Sequence, residues 1–203
     1  MSLICVDLLI NLCYTLDKNH SRQKVYYNRI KICGGIEVAI FTWHDGKVPE
    51  NMEITQVYGL IFSKDGRLLL LVDRSEHGIK YSLPGGQPEV CDLSIEETAI
   101  REIKEEMNIT IKNPIIIGYQ KVDEQNGFVP FAQVRVTGLI DSIGVIRPDI
   151  DNGKIYDRLL ISPLKAVDLL KWGEVGYSQI KTAMAVATKS FGIVEFTDKE
   201  EFI

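Results

Sequence analysis

The sequence predicts an α/β sandwich, and three observations carry that reading. Runs with strand character lie on both sides of one well-capped helix, which favours a sandwich over a doubly wound parallel sheet. The chain has 203 residues, of which 45% are hydrophobic and 25% charged, enough apolar material for one packed domain with or without an appendage. No internal repeat or low-complexity run interrupts the pattern.

Residues 1–35 stand apart from the rest. Leu3, Val6, Leu9, Ile10 and Cys13 recur at helical spacing, a polar basic run extends from Lys18 to Lys31, and the segment closes at Gly34 and Gly35. We read it as an N-terminal extension to a domain spanning 36–203. The apolar stripe is too short to make a stable helix alone in water. It requires burial, and a homodimer contact is the expectation, because the region from Ile36 to Phe191 already accounts for a complete core.

The domain opens with strands. IEVAIFTW, from Ile36, ends at the turn signal Asp45-Gly46; TQVYGLIF follows, then the turn SKDG at Ser63 to Gly66, then RLLLLV, which together predict an antiparallel opening. After YSLPGG, Ser94 to Met107 reads as one helix, started by a capping box in which Ser94 accepts from the backbone at Glu97 and Glu97 reaches back. IIIGYQKV (Ile115 to Val122), FAQVRVTGLI (Phe131 to Ile140) and KIYDRLLI (Lys154 to Ile161) return to strand character, with Pro114, Pro130 and Pro148 breaking the runs. Helical stretches at Pro163 to Lys171 and Tyr177 to Phe191 complete the domain.

Composition excludes several classes of function. The 23 Lys+Arg against 28 Asp+Glu leave a formal net charge of -5, so no uniformly basic surface is available and a nucleic acid polymer is not an expected partner. Cys5, Cys13, Cys33 and Cys91 form no CxxC pair, and His20, His44 and His77 supply no zinc-ligand spacing. The apolar run Ile4 to Leu16 is interrupted by Asp7, has no basic residues before it and is too short to span a bilayer. The expectation is a cytoplasmic protein with reduced thiols and no membrane partner.

The chemistry lies in LPGGQPEVCDLSIEETAIREIKEEMNI, Leu83 to Ile109. On a helical wheel at about 100° per residue, Ala99, Ile100, Ile103 and Met107 fall in one arc, and Glu102, Glu105 and Glu106 fall in another. The first face predicts core, and the second concentrates three carboxylates. Arg101 is placed to pair with Glu97 and Glu105 at four-residue spacing. Crowded carboxylates repel one another unless a cation sits among them, and hard oxygen ligands suit Mg²⁺ or Mn²⁺. The preceding glycine pair lets a backbone carbonyl approach the same ion. Such an ion suits diphosphate chemistry, where it neutralises phosphate oxygens and activates a water for in-line attack. The plainer reading, a solvated charge-rich helix face, loses ground because LPGG, the capped helix and the Arg-Glu-aliphatic-x-Glu-Glu run occur together and in order.

This segment resembles the Nudix box, GX5EX7REUXEEXGU with U aliphatic. Gly86 matches its first glycine, and Arg101, Glu102, Ile103, Glu105, Glu106 and Ile109 match its second half. The resemblance implies a Nudix α/β/α sandwich with a mixed sheet, and metal-dependent hydrolysis of a nucleoside diphosphate linked to another moiety. It further implies that Glu105 and Glu106 bind Mg²⁺ or Mn²⁺, that Glu102 binds it or positions the attacking water, that Gly85 offers its carbonyl, and that Arg101 orients the glutamates. The stretch from Gly86 to Arg101 is one residue longer than the pattern, so the box glutamate is represented either by Asp92, with an insertion after it, or by nothing. Asn108 replaces the later glycine, a mild change if that residue is left-handed.

The substrate implied is a small nucleotide. The family's ADP-ribose and dinucleoside polyphosphate classes are expected to show a proline or a tyrosine some way after the box, and the segment VDEQNG has neither, which leaves nucleoside triphosphate pyrophosphatase by exclusion. A Nudix-fold nucleotide-binding or regulatory module without hydrolysis is the rival, discriminated by the intact glutamates. An isoprenoid diphosphate isomerase on the same fold would need a cysteine in an active-site strand, and Cys91 is poorly placed for that. Glu124, between two strands, is a candidate extra acid, although an exposed loop acid is the commoner outcome. Arg67, Arg74, Arg135 and Arg158 read individually as surface charges, with Arg74 or Arg135 available to a phosphate if their strands line the cleft. Trp172 reads as a packing residue at a helix end.

Overall fold

The computed structural model describes residues 10–16, 22–32 and 35–203, with side-chain environments from Ala39 onward. A single mixed sheet runs through it, built from β1 (Ile10–Leu16), β2 (Arg22–Ile32), β3 (Gly35–His44), β4 (Ile54–Phe62), β5 (Leu68–Ser75), β6 (Gly78–Ser82), β7 (Gly85–Gly86), β8 (Ile109–Asp123), β9 (Phe131–Ile143), β10 (Asp157–Ile161) and β11 (Glu201–Phe202). The helices are α1 (Ile95–Met107), α2 (Pro163–Leu170) and α3 (Gly173–Phe191). The strand order is β1-β2-β3-β8-β9-β4-β5-β10-β11, with β6 beside β5 and β7 beside β4. The β4–β9 pair is parallel and the other pairs are antiparallel.

Both faces of the central sheet are covered, which makes an α/β/α sandwich. Ala99, Ile103 and Met107 of α1 pack with Val57, Ile61, Leu69, Leu71 and Val136 on one face. Ala166 and Leu170 of α2 and Ile180, Ala183 and Ala187 of α3 pack with Leu60, Phe62, Leu68, Leu70 and Val72 on the other. Alternate residues of β5 thus serve opposite cores, which explains why LLLLV is apolar throughout rather than alternating. No helix among the described residues is long and apolar enough to cross a membrane.

Several expectations are corrected. The helical spacing assigned to the N-terminal stripe fails at Ile10 and Cys13, which lie in β1 paired with β2, while Leu3, Val6 and Leu9 lie outside the described residues. Extended pairing satisfies the backbone of this short segment where an isolated helix could not. The antiparallel opening holds only for β4 and β5, joined at Phe62 and Leu68; β3 pairs with β2 and β8, whereas β4 lies parallel to β9. The strand after the box begins at Ile109 rather than Ile115, because Pro114 is accommodated at a bulge, with Asn113 at φ 53° and the register shifting between Lys112 and Ile115. β10 begins at Asp157, leaving Lys154 to Tyr156 in a loop, and α3 starts at Gly173 rather than Tyr177. In α1, Ile100 is 38% exposed while Thr98 is buried, held by hydrogen bonds to Asp92 and to the Ser94 carbonyl.

Candidate active site

The site is built where β7 meets α1. Gly85 pairs with Tyr58 of β4 at φ 148°, and a side chain on it would collide with the Val57 carbonyl. A side chain on Gly86 would overlap the Glu102 carboxyl group. The glycine pair therefore lets a strand pass against β4 and a helix carboxylate at once. The Gly85 N–H donates to Glu106 Oε2 at 2.7 Å, which ties the loop to the helix.

Helix α1 starts as its capping residues dictate. Ser94 accepts from the Glu97 N–H at 3.2 Å, and the Glu97 carboxylate reaches back to the Leu93 N–H at 2.9 Å. The helix ends at Asn108, whose left-handed φ of 46° supplies the conformation of the glycine it replaces, and whose N–H caps the Lys104 carbonyl.

Arg101 organises the acids around it. Its Nε and Nη2 clasp Asp92 at 2.9 and 3.0 Å, Nη1 lies 2.9 Å from both Glu102 Oε1 and Glu105 Oε2, and Nη2 also donates to the Gln87 carbonyl. Of the two readings of the lengthened box, the geometry is that of the first: Asp92 faces Arg101 and the additional residue lies between them. Arg101 and further hydrogen bonds from the Glu89 N–H and Thr98 hold the Asp92 carboxyl well below the usual carboxylate range, against its burial. Arg101 is pushed up, chiefly by Asp92.

Glu102, Glu105 and Asp151 each offer a carboxylate oxygen, and these oxygens lie within 4.8 Å of one another. Glu106 lines the same open cleft of 330 Å³, together with Gly85, Glu102, Asp149 and Asp151. Asp151 is an acid that sequence reading missed. It is carried on the β9–β10 loop, where buried Asp149 accepts from the Asp151 N–H at 2.8 Å and from Asn152 Nδ2 at 2.8 Å. The available signal was the turn-forming cluster Asp149 to Gly153, and it carries no indication that the turn faces α1. Glu124 is not part of this arrangement: it is exposed after β8 and accepts from Asn126. Two of the arginines read as surface charges are buried. Arg158 donates to the Met107 and Gly144 carbonyls, closing the end of α1, and Arg135 lies in the other core.

The electrostatics fit a cation. Burial pushes the Glu106 carboxyl up to about 8, opposed by the Gly85 N–H and reinforced by Glu102, Asp149 and Asp151. Burial also raises Glu102, with Arg101 opposing. A hard oxygen donor such as Glu106, held protonated near neutral pH by burial, is what a divalent ion relieves. In the metal-free protein, Glu106 binds its proton more tightly folded than unfolded, so its contribution to stability is lost as pH rises from about 5 to about 8. The melting temperature without metal is expected to fall across that range, and Mg²⁺ to restore more of it at the alkaline end. A metal-free melting temperature that rises with pH would contradict this placement of Glu106.

Fold and site together define an α/β/α domain with an acidic helix beneath a double-glycine loop. Residues 52–149 match the model of the NUDIX domain, which supports membership of this segment in the Nudix superfamily. The chemistry that accompanies this family is hydrolysis of a pyrophosphate bond in nucleotide derivatives. Among solved structures, the chain is similar to a NUDIX hydrolase from Nitrosomonas europaea, at 21% identity and a TM-score of 0.48 over 66% of this chain and 89% of that one. It is similar also to the Ap4A hydrolase of C. elegans, at 19% identity and 0.45 over 66% and 98%. A third similarity is to a Bacillus subtilis pyrophosphohydrolase, at 20% identity and 0.44 over 53% of this chain, which spans only 63% of that one. No curated protein matches the chain.

Proposed function

We propose that the chain is a Mg²⁺- or Mn²⁺-dependent hydrolase that cleaves a diphosphate linkage in a nucleoside di- or triphosphate derivative. The observation that carries this reading is the convergence of Glu102, Glu105 and Asp151 beside the Gly85–Gly86 loop. Glu102, Glu105 and Asp151 hold the ion, Glu106 and the Gly85 carbonyl complete its surroundings, and Arg101 fixes the directions of Glu102 and Glu105. An ion there supplies charge neutralisation at the phosphate oxygens and activation of a water. Gln56 of β4 lines this cleft, and Tyr58, two residues further on, lines a second pocket of 450 Å³ with Tyr81, Leu83 and Trp172. A diphosphate at the acids would thus extend its nucleoside along β4 into an aromatic pocket.

The deciding experiment is a screen with Mg²⁺ and Mn²⁺ in which phosphate is released from the products by a coupling enzyme, inorganic pyrophosphatase for nucleoside triphosphates and alkaline phosphatase for nucleotide sugars and dinucleotides. Nucleotide binding without release from any of them would favour the regulatory module. Asp151→Asn is expected to lower turnover by about 10- to 100-fold and to raise the Mg²⁺ concentration needed for half-maximal rate. Because Asp151 is exposed, its melting temperature should hardly move. An unchanged Mg²⁺ dependence would remove Asp151 from the ligand set.

A further inference from the structure

Away from the acidic cleft, one buried charge has no counter-charge. Arg135 is 1% exposed, and no carboxylate of the described residues lies within ion-pairing distance of it. Its Nε donates to Gln179 Oε1 at 2.7 Å and its Nη1 to the Gln133 carbonyl at 3.2 Å. The guanidinium stands over two rings, with centroids at 4.8 Å for Tyr58 and 5.3 Å for Trp172. A methionine would fill much of this volume without desolvating a charge, so packing alone does not account for an arginine here.

The surroundings hold the side chain in one position. An arginine N–H can only donate, so Gln179 must turn its Oε1 to Arg135 and its Nε2 to Gln120 Oε1, at 2.7 Å, and Gln120 in turn donates to Gln133 Oε1 at 3.3 Å. This amide chain ties the guanidinium to β8, β9 and α3, so it acts on a ligand through the two rings rather than by direct contact. Tyr58 and Trp172 are both walls of the 450 Å³ pocket. A cation behind an aromatic ring draws π density toward itself and leaves the opposite face better suited to an electron-rich partner.

We propose that Arg135 is a positioning residue that sets the specificity of this pocket: it fixes Tyr58 and Trp172 and polarises the wall they form, so that the pocket takes the planar, electron-rich base of a nucleotide. The inference rests on the nucleotide reading above. It concerns which part of the ligand the pocket recognises, not the hydrolysis.

The test uses the full chain with Arg135→Met and Arg135→Lys, read by calorimetric binding of GMP and of ribose 5-phosphate and by kcat and KM on the best nucleotide with Mg²⁺. Arg135→Met is expected to weaken GMP binding and raise KM by about tenfold. Binding of ribose 5-phosphate should be unchanged, and kcat should stay within about twofold of the wild type. Arg135→Lys, which keeps the charge and loses the plane, should fall between the two, at about threefold. Unchanged GMP affinity in either variant would overturn the proposal, as would equal losses for GMP and ribose 5-phosphate, which mark a general structural role. If Arg135→Met does not fold, the lysine variant alone decides. Arg135-dependent GMP binding by a chain that hydrolyses no nucleotide would overturn the hydrolase reading and leave this one standing.

Discussion

Glu105→Gln is expected to reduce turnover by about a thousandfold, since on the proposed reading the change replaces a carboxylate ligand by a neutral amide at the centre of the acid group. The substitution keeps size and shape, and Arg101 retains Asp92 and Glu102 as partners at 2.9 Å. Fold stability should therefore survive. In metal-free buffer the melting temperature should stay the same or rise, because one negative charge has been taken from a crowded set. Stability and activity moving in opposite directions is the outcome that separates a ligand from a solvated surface acid. Wild-type turnover in this variant would show that Glu105 does not hold the ion.

The two glycines of the loop should fail in different ways when replaced by alanine. At Gly86 the new methyl group meets the end of the Glu102 side chain, a flexible group that can rotate away, so the fold should persist while the displaced carboxylate costs about a hundredfold in kcat. At Gly85 the obstruction is the Val57 backbone, and φ is 148°, a conformation that L side chains rarely adopt. Gly85→Ala should therefore cost about 3 kcal/mol of stability. Purified variants compared by melting temperature and by initial rate with saturating Mg²⁺ would show the split. Equal destabilisation at both positions would mean that β7 does not make the close approach to β4 described above.

What was legible in the sequence is local. Ser94, Glu97, Arg101 and Asn108 act on neighbours within one or two helical turns or on the adjoining loop, so spacing alone places the helix and its acidic face. What was illegible depends on partners remote in sequence. Asp151 lies on another loop, and nothing in DIDNG says which surface that loop will meet. Arg135 and Arg158 read as exposed because isolated charges usually are; their burial is settled by Gln179 and by the end of α1, groups that no local window contains. The parallel partner of β4 was hidden for the same reason: the turn at Ser63 to Gly66 announces β5, whereas β9 lies beyond the box and all of β8.

That parallel pairing also bears on the order in which the site can come into being. Helix α1 has its own caps and can begin to form from local contacts while the chain is still being made. Strand β4, against which the glycine pair of β7 is held, gains its neighbour on one side only when β9 has emerged, and the β9–β10 loop that brings Asp151 emerges later still. Contacts of such long sequence separation are entropically costly to close and are made late in folding. A growing chain that has already completed its acidic helix therefore carries an incomplete acid cluster until that loop arrives, and the acid helix and competence for chemistry are separated in time by the length of chain between them.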